Sequence, residues 1–177
     1  GWVVLVNPVS GRGQAPRLAR IAAAEIERAG HPVEIQHTSG PGQASQLAST
    51  AVRRGQKVAV CGGDGTLHEV VNGVSLDTLT LGIVPAGRGN DFARALGMSN
   101  DAREAGSRIA RGRTRNVDVG LVGEVRFLTV ACVGLDARVV IRVRKWAGWG
   151  RLAYKLGAVV EIVREPRPIL TVGEGGD

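Results

Sequence analysis

Apolar residues along this chain alternate between short continuous runs and longer stretches with helical spacing. Continuous runs are typical of strands that are buried on both faces of a parallel sheet. The stretches that predict strands are residues 2–6, 33–36, 57–61 and 79–84. Between them, apolar residues three or four positions apart predict helices, most clearly over 18–29 and 44–52. This alternation predicts an α/β fold, a parallel sheet with helices on both faces.

Three of the predicted strands are followed at once by a polar loop that contains glycine. These loops cover residues 7–13, 62–66 and 85–91. Ligands of parallel sheets bind at the carboxyl ends of the strands, so we expect the three loops to meet at one ligand. Glycines leave backbone N–H groups open to phosphate, and a helix start adds partial positive charge. The pattern predicts a nucleotide triphosphate site, with Asp64 placed where a metal or a phosphate-binding cation would sit.

The character of the chain changes after residue 101. A polar helix is predicted to Arg111, and two antiparallel strands, 114–122 and 125–133, are predicted around the turn Gly123-Glu124. Helices from residue 137 and residue 151 and a strand from residue 166 follow by the same reasoning. We therefore expect a second, β-rich domain to begin near residue 114 and to be truncated in this sequence.

Charge and composition narrow the class of ligand. A net charge of +7 favours anionic partners such as nucleotides or an anionic membrane surface. No apolar run reaches the ~18–20 residues that span a membrane. Cys61 and Cys132 each lie within an apolar run, which predicts buried thiols and a reducing cytoplasm.

Several other kinds of site are excluded by the residues present. There is no glycine-lysine P-loop, no zinc-binding spacing of histidines or cysteines, and no protein-kinase motif set. His31 and His37 are expected to be surface residues, whereas His68 lies close in sequence to the predicted phosphate loop.

The stretch Gly62-Gly63-Asp64-Gly65-Thr66 resembles the loop shared by diacylglycerol kinases, sphingosine kinases, NAD kinases and 6-phosphofructokinases. Residues 7–12, 69–73 and 85–94 are similar to further motifs of the lipid-kinase branch. The four motifs follow in the expected order, and the resemblance is strongest to bacterial soluble diacylglycerol kinases. It implies an ATP-dependent lipid kinase that uses Mg²⁺.

The same resemblance implies a Rossmann-like nucleotide-binding domain over residues 1–113. Residues 114–177 would begin a C-terminal β-sandwich domain. In this family the catalytic base and a structural Mg²⁺ site lie later in that second domain. We therefore expect the 177-residue chain alone to bind nucleotide weakly and not to turn over.

The resemblance also implies roles for individual residues. The ATP site would be lined by Asn7, Pro8, Ser10, Gly11, Thr38, Gly62, Gly63, Asp64, Gly65, Thr66, Glu69, Gly87, Arg88 and Asn90. Asp64, Asp91 and Arg12 would take part in catalysis, with Asp64 acting on Mg²⁺ directly or through water. Arg12 stands where many relatives have lysine and would pair with both carboxylates, and Arg88 stands where bacterial relatives often have threonine.

Structural explanations remain open for several of these residues. Thr66 and Glu69 have the spacing of a capping box, in which each side chain satisfies a backbone donor at a helix start. Asn90 or Asp91 could cap the next helix. Asn72 could simply end the helix that begins at the phosphate loop.

Basic and aromatic residues are concentrated in the stretch 142–155. Trp146 and Trp149 with neighbouring arginines suit an anionic bilayer surface, or else the tryptophans pack between domains. The expected partners are a nucleotide, a lipid substrate and an anionic membrane, with no nucleic acid. The expected location is the cytoplasm, peripherally at the inner face of the cell membrane. NAD kinase and a non-catalytic nucleotide-binding module are the alternative functions.

Overall fold

A computed structural model describes residues 1–131 of the chain. Four parallel strands form the central sheet in the order β2-β1-β3-β4. They are β1 (Trp2–Val6), β2 (Val33–His37), β3 (Lys57–Gly62) and β4 (Leu81–Pro85). Strands β1 and β3 are central among these four, and nearly all their residues are buried, as their continuous apolar sequences predict.

Six helical segments connect or follow the strands. They are α1 (Ser10–Gly13), α2 (Ala15–Arg28), α3 (Gln43–Arg53), α4 (Asp64–Gly73), α5 (Asp91–Ala95) and α6 (Ala102–Ala110). A 3-10 turn, Leu76–Thr78, precedes β4. Pro16 lies in the first turn of α2, where its missing N–H has no helical acceptor to lose.

The helices cover both faces of the sheet, and each face has its own apolar core. Alanines of α2 and α6 pack with Trp2, Val4 and Val6 on one face. Helices α3, α4 and α5 pack with Val3 and Leu5 on the other face. Because these side chains are small, α2 and α6 approach each other closely, and the core fills without large aromatic residues. The fold predicted from the sequence is confirmed.

The strand order places a topological switch point between β1 and β3. From β1 the chain moves outward to β2, and it then crosses back to the other side of β1 to form β3. The helices that follow β1 and β3 therefore lie on opposite faces of the sheet, and a crevice opens between their starts at the carboxyl ends of these strands.

A short antiparallel hairpin follows the sheet. Strands β5 (Gly120–Val122) and β6 (Val125–Phe127) surround the predicted turn Gly123-Glu124, but each has three residues instead of nine. The fourth strand also starts later than predicted, at Leu81 instead of Leu79, because the 3-10 turn delays it.

Hydrogen bonds attach this hairpin to the end of α4. The Asn72 side chain accepts from the Arg126 N–H at 2.9 Å and donates to the Arg126 carbonyl at 3.0 Å. The Arg126 guanidinium donates to the carbonyls of Val71 and Val74 at 2.8 and 2.7 Å. A cation at a helix C-terminus also stabilises the helix dipole. Asn72 thus anchors the hairpin, in addition to lying at a helix end.

Several predictions fall outside the described residues or are not tested. The predicted helices from 137 and 151, the strand from 166, and the tryptophan-bearing stretch all lie beyond residue 131. The domain boundary near residue 114 stays a prediction. No helix within residues 1–131 is long and apolar enough to cross a membrane.

Gly106 of α6 gives a test of the close packing between α2 and α6. A Cβ at this position would lie 2.5 Å from the Ala22 carbonyl oxygen, which is rigid backbone. We expect Gly106→Ala to lower the free energy of unfolding by about 1–3 kcal/mol, despite alanine's higher helix propensity. The matched control is Gly65→Ala in α4, where a Cβ would meet no atom within 4 Å. Urea denaturation should show no loss for the control, and equal stability of the two variants would contradict the packing.

Candidate functional site

Loops from β1 and β3 meet at the switch point through Asn7. Its backbone N–H donates to the Cys61 carbonyl at 3.2 Å, which extends the pairing of the two strands. Its side-chain amide lies 3.4 Å from the Thr66 hydroxyl oxygen, and its Oδ1 accepts from the Val9 N–H at 3.2 Å. The structure therefore brings Asn7 and Thr66 together, as the predicted site requires, with Pro8 in the turn between Asn7 and Val9.

The loop after β1 has an unusual left-handed backbone. Gly11, Arg12 and Gly13 have φ angles of 61°, 57° and 84°. A Cβ on Gly11 would also lie 2.8 Å from the Ala86 carbonyl oxygen. Loop 7–13 therefore lies directly against the loop that follows β4, with Ser10 beside the contact.

Loops 62–66 and 85–91 are also in backbone contact. A Cβ on Gly87 would lie 2.5 Å from the Gly63 Cα, a distance that no side chain tolerates. The Ala86 N–H donates to the Gly62 carbonyl at 2.9 Å. All three predicted loops thus converge at the carboxyl ends of the strands.

The Asp64 carboxylate connects loop 62–66 to helix α5. Its Oδ2 accepts from the Asp91 N–H at 3.1 Å, and its Oδ1 accepts from the Phe92 N–H at 3.2 Å. Asp64 therefore caps α5 from a distant part of the chain. The sequence pattern predicts a metal, a phosphate or Arg12 as the partner of Asp64, and it contains no signal for this structural role.

Asn90 closes the loop before α5. It has a φ of 53°, and its side chain accepts from the Gly87 N–H at 2.8 Å and donates to the Gly87 carbonyl at 3.1 Å. The side chains of Asn90 and Asp91 therefore do not cap α5, because the N-terminal amides of this helix donate to the Asp64 carboxylate.

Thr66 and Glu69 do not form a capping box. Helix α4 already begins at Asp64, no side chain caps it, and Thr66 lies inside its first turn. The Glu69 carboxylate instead accepts from the Ala44 N–H at 3.2 Å, at the start of α3.

Thr38 is buried where β2 ends, and its N–H donates to the Val6 carbonyl at 2.8 Å. Glu69 and Thr38 hence lie on the side of the crevice that α3 borders.

The predicted pairing of Arg12 with two carboxylates needs correction. Within residues 1–131, Arg12 pairs with neither Asp64 nor Asp91. The Asp64 carboxylate accepts from two backbone amides, and Arg94 forms an ion pair with Asp91. Arg94 also donates to the Gly89 carbonyl at 3.1 Å. Arg94 is not among the predicted site residues, although its position three residues after Asp91 is the signal of a helical ion pair.

Arg88 is exposed at the tip of its loop. It borders a pocket of about 360 Å³ that also involves Gly11, Gln14, Asn90 and Arg94. This pocket lies between loop 85–91 and the start of α2, so Arg88 faces the α2 side of the sheet edge.

The carboxylates present suit a magnesium ion that arrives with a nucleotide. Carboxyl oxygens of Asp64 and Asp91 reach within 3.2 and 3.5 Å of the position that a Cβ on Gly89 would occupy. No group of three or more metal-ligating side chains occurs in the part of the chain that the structure describes. One or two carboxylates, completed by phosphate oxygens and water, are the usual protein contribution to a Mg²⁺ site.

The remaining candidates are peripheral. His31 and His37 are exposed, as expected. His68 is exposed one turn into α4, and its Nδ1 lies 3.4 Å from the Asn72 amide. Cys61 is fully buried, and its thiol donates to the Ala15 carbonyl at 3.3 Å, which confirms a structural thiol. Cys132 lies outside the described residues.

The capping role of Asp64 can be tested through stability. Asp64→Ala removes both acceptors from α5, and we expect the free energy of unfolding to fall by about 0.5–2 kcal/mol. Asp64→Asn keeps one acceptor oxygen and should lose less. Asp77→Ala, in the exposed 3-10 turn, is the control and should change little. Urea denaturation that finds Asp64→Ala as stable as the original protein would rule out the cap.

Burial raises the pKa of the Cys61 thiol from 9.0 to about 12. The unfolded chain therefore loses this proton near pH 9, whereas the folded chain keeps it. The stability that the protonated thiol contributes is complete below pH 9.0 and declines as the pH rises towards 12, by at most about 1.4 kcal/mol per pH unit. We expect this decline in a Cys132→Ser background and not after an added Cys61→Ala change. If the free energy of unfolding of the two variants changed by the same amount across this pH range, the prediction would be contradicted.

Comparison with known proteins gives one consistent answer. The family described as the diacylglycerol kinase catalytic domain matches residues 1–122. The chain is 36% identical over 132 residues to the diacylglycerol kinase of Bacillus subtilis (strain 168), an alignment that covers 72% of this chain and 44% of that protein. It is 33% identical over 182 residues to the diacylglycerol kinase of Mycobacterium tuberculosis (strain ATCC 25618 / H37Rv), covering 97% and 58%.

Comparison with solved structures finds proteins of the same family. A crystal structure of a diacylglycerol kinase from Bacillus anthracis str. Sterne superposes with a TM-score of 0.66 at 30% identity, covering 72% of this chain and 49% of that one. The chain spans about half the length of these relatives, 44% of the Bacillus subtilis protein and 58% of the Mycobacterium tuberculosis protein. The matched region contains every loop that converges at the switch point, and the chain belongs to the diacylglycerol kinase catalytic domain family.

Proposed function

We propose that this chain provides the nucleotide-binding part of an ATP-dependent kinase that phosphorylates the hydroxyl group of diacylglycerol or a related lipid. The observation that carries the proposal is the convergence of loops 7–13, 62–66 and 85–91 at the switch point, in backbone contact through glycines. Such a crevice is where open α/β sheets bind nucleotides. Family membership supports phosphoryl transfer as the chemistry.

Helix α4 supplies the main electrostatic attraction for phosphate in this proposal. Its first amides have no helical acceptor, and no side chain caps them, so they remain available to phosphate oxygens. Asn7 and Thr66 lie beside these amides and add neutral donors. Glu69 and Thr38 border the α3 side of the crevice, where the nucleoside would extend.

Charge would be balanced by residues on the loops. Asp64 and Asp91 would hold Mg²⁺ together with phosphate oxygens, and the ion would neutralise charge on the transferred group. Arg12 and Arg88 are exposed on loops that border the crevice, and both could approach the phosphates from solvent. The contribution of this chain would then be to position the triphosphate against backbone amides that no side chain covers.

The proposed partners follow from the reaction. A nucleotide and a membrane lipid would meet at this edge of the sheet, so the protein would work in the cytoplasm at the membrane surface. NAD kinase uses a soluble acceptor, and no contact among the described residues favours it.

One assay tests the proposed reaction. The full-length protein is incubated with γ-labelled ATP, Mg²⁺ and one acceptor at a time: diacylglycerol in micelles, a sphingoid base or NAD. We expect label in the diacylglycerol fraction. Label in NAD alone would replace the proposal with the alternative, and label in no acceptor would refute kinase activity on these substrates.

A glycine pair tests whether the crevice is the nucleotide site. Gly65→Ala adds a methyl group at the first turn of α4 without meeting any atom within 4 Å, so the fold should be kept. We expect its methyl group to obstruct a phosphate and to weaken ATP binding about tenfold, the equivalent of one hydrogen bond to a charged group. Gly40→Ala, equally unobstructed in the loop after β2, is the control. Calorimetric titration that finds the same affinity in both variants would place the nucleotide elsewhere.

A further inference from the structure

Helix α4 is closed at its C-terminal end by a residue from outside the helix. Among the described residues, no backbone N–H caps this end, whereas each of the other five helices has such a cap. The carbonyls here accept from the Arg126 guanidinium instead, at 2.8 Å for Val71 and 2.7 Å for Val74. The closure of α4 therefore depends on the β5–β6 hairpin, which carries Arg126.

The hairpin depends on the same contacts for its own position. Each of its strands has three residues, and an isolated two-stranded hairpin is marginally stable at best. Leu121, Val122 and Val125 are between 53% and 63% exposed, so apolar burial holds the hairpin only in part. The Asn72 side chain pairs with both backbone polar groups of Arg126, as a neighbouring strand would. We call this set of contacts between Asn72, Arg126 and the end of α4 the clasp.

Contacts with α3 hold the middle of α4 in place. The Ser45 hydroxyl donates to the Glu69 carbonyl at 2.6 Å, and a Cβ on Gly73 would lie 2.5 Å from the Ser45 Cβ. The helix has only ten residues, and helix formation is cooperative. A stabilising contact at either end of α4 therefore favours the same state, the fully formed helix.

The two ends of α4 attract opposite charges. An anion at the start of a helix and a cation at its end both stabilise it through the helix dipole. We propose that Asn72 and Arg126 are positioning residues of the nucleotide site: docking of the hairpin completes α4 for phosphate, and phosphate at the start of α4 strengthens the docking. Such effects are reciprocal by linkage. The inference rests on the proposed function, because it requires phosphate at the start of this helix.

A purely structural clasp is the competing explanation. It would hold the hairpin on α4 whether or not nucleotide is bound, and its loss would lower stability without changing affinity. The place of the clasp favours coupling. Helix α4 presents uncapped first amides beside Asn7, and its opposite end is closed by the hairpin and not by its own backbone. Nucleotide binding would thus be transmitted to the residues that follow the hairpin.

Amide hydrogen exchange reports on docking directly, since the Arg126 N–H donates to the Asn72 Oδ1. The full-length protein is measured with and without Mg²⁺ and the non-hydrolysable ATP analogue β,γ-imido-ATP. We expect the analogue to slow exchange of the Arg126 amide about fivefold, the lower end of coupling between two sites. The Gly112 amide, which donates to the Ile109 carbonyl at the end of α6, is the control and should exchange at an unchanged rate.

Substitutions in the clasp measure the reciprocal effect by calorimetric titration with the same analogue. Arg126→Ala removes both bonds to the α4 carbonyls, and we expect the affinity to fall about fivefold. Asn72→Ala releases the hairpin backbone and should weaken binding similarly, whereas Arg126→Lys keeps a cation at the helix end and should recover part of the loss. His31→Ala is the matched control, because it removes a side-chain contact of 3.1 Å to the Ala110 carbonyl at the end of α6. It should leave the affinity unchanged.

The possible outcomes separate this inference from the proposed function. If the analogue binds and exchange of the Arg126 amide does not change, the coupling is absent. An Arg126→Ala protein that binds the analogue with the original affinity would also overturn the positioning role. Failure of the original protein to bind the analogue would refute the nucleotide site itself, and this inference with it.

Discussion

The candidate site depends on the close approach of Gly63 and Gly87. These residues come from the loops after β3 and β4, and a Cβ on Gly87 would lie 2.5 Å from the Gly63 Cα. Loop 7–13 reaches the same place, since a Cβ on Gly11 would lie 2.8 Å from the Ala86 carbonyl oxygen. Glycine at these positions brings three backbone segments within contact distance. Because the strands are parallel and in register, the loops can meet only at this edge.

Asp64 caps a helix and still has acceptor positions left for the role that we propose for it at the site. Its two oxygens accept the amides of Asp91 and Phe92, yet an ionised carboxylate offers about four acceptor positions. The cap therefore leaves capacity for a metal ion or water. It also gives the carboxylate a fixed orientation, which a catalytic group needs more than proximity.

Much of this arrangement could be predicted from the sequence. Continuous apolar runs predict buried parallel strands, and the glycine-bearing loops after three of them predict the end of the sheet at which these loops converge. The pattern could not reveal partners that are distant in the chain. Thr66 and Glu69 have capping-box spacing, but the start of α4 two residues earlier leaves Glu69 to accept from Ala44 of α3.

The Arg12 prediction failed for a related reason. It transferred a pairing from relatives, whereas in this chain Arg94 is only three residues from Asp91 and reaches that carboxylate within the same helix. Local geometry wins because a helical neighbour loses less conformational freedom on pairing than a loop side chain does. Arg12 is thereby left exposed beside the crevice.

Helix α5 depends on contacts with residues outside it. With five residues it is too short to be stable alone, so its position depends on the Asp64 cap at its start and on the packing of Phe92 below it. Its N-terminal end lies at the crevice where the three loops converge. A change that displaces Phe92 is expected to disturb the two amides that Asp64 accepts, so the packing of α5 on the core and the geometry of these loops depend on each other.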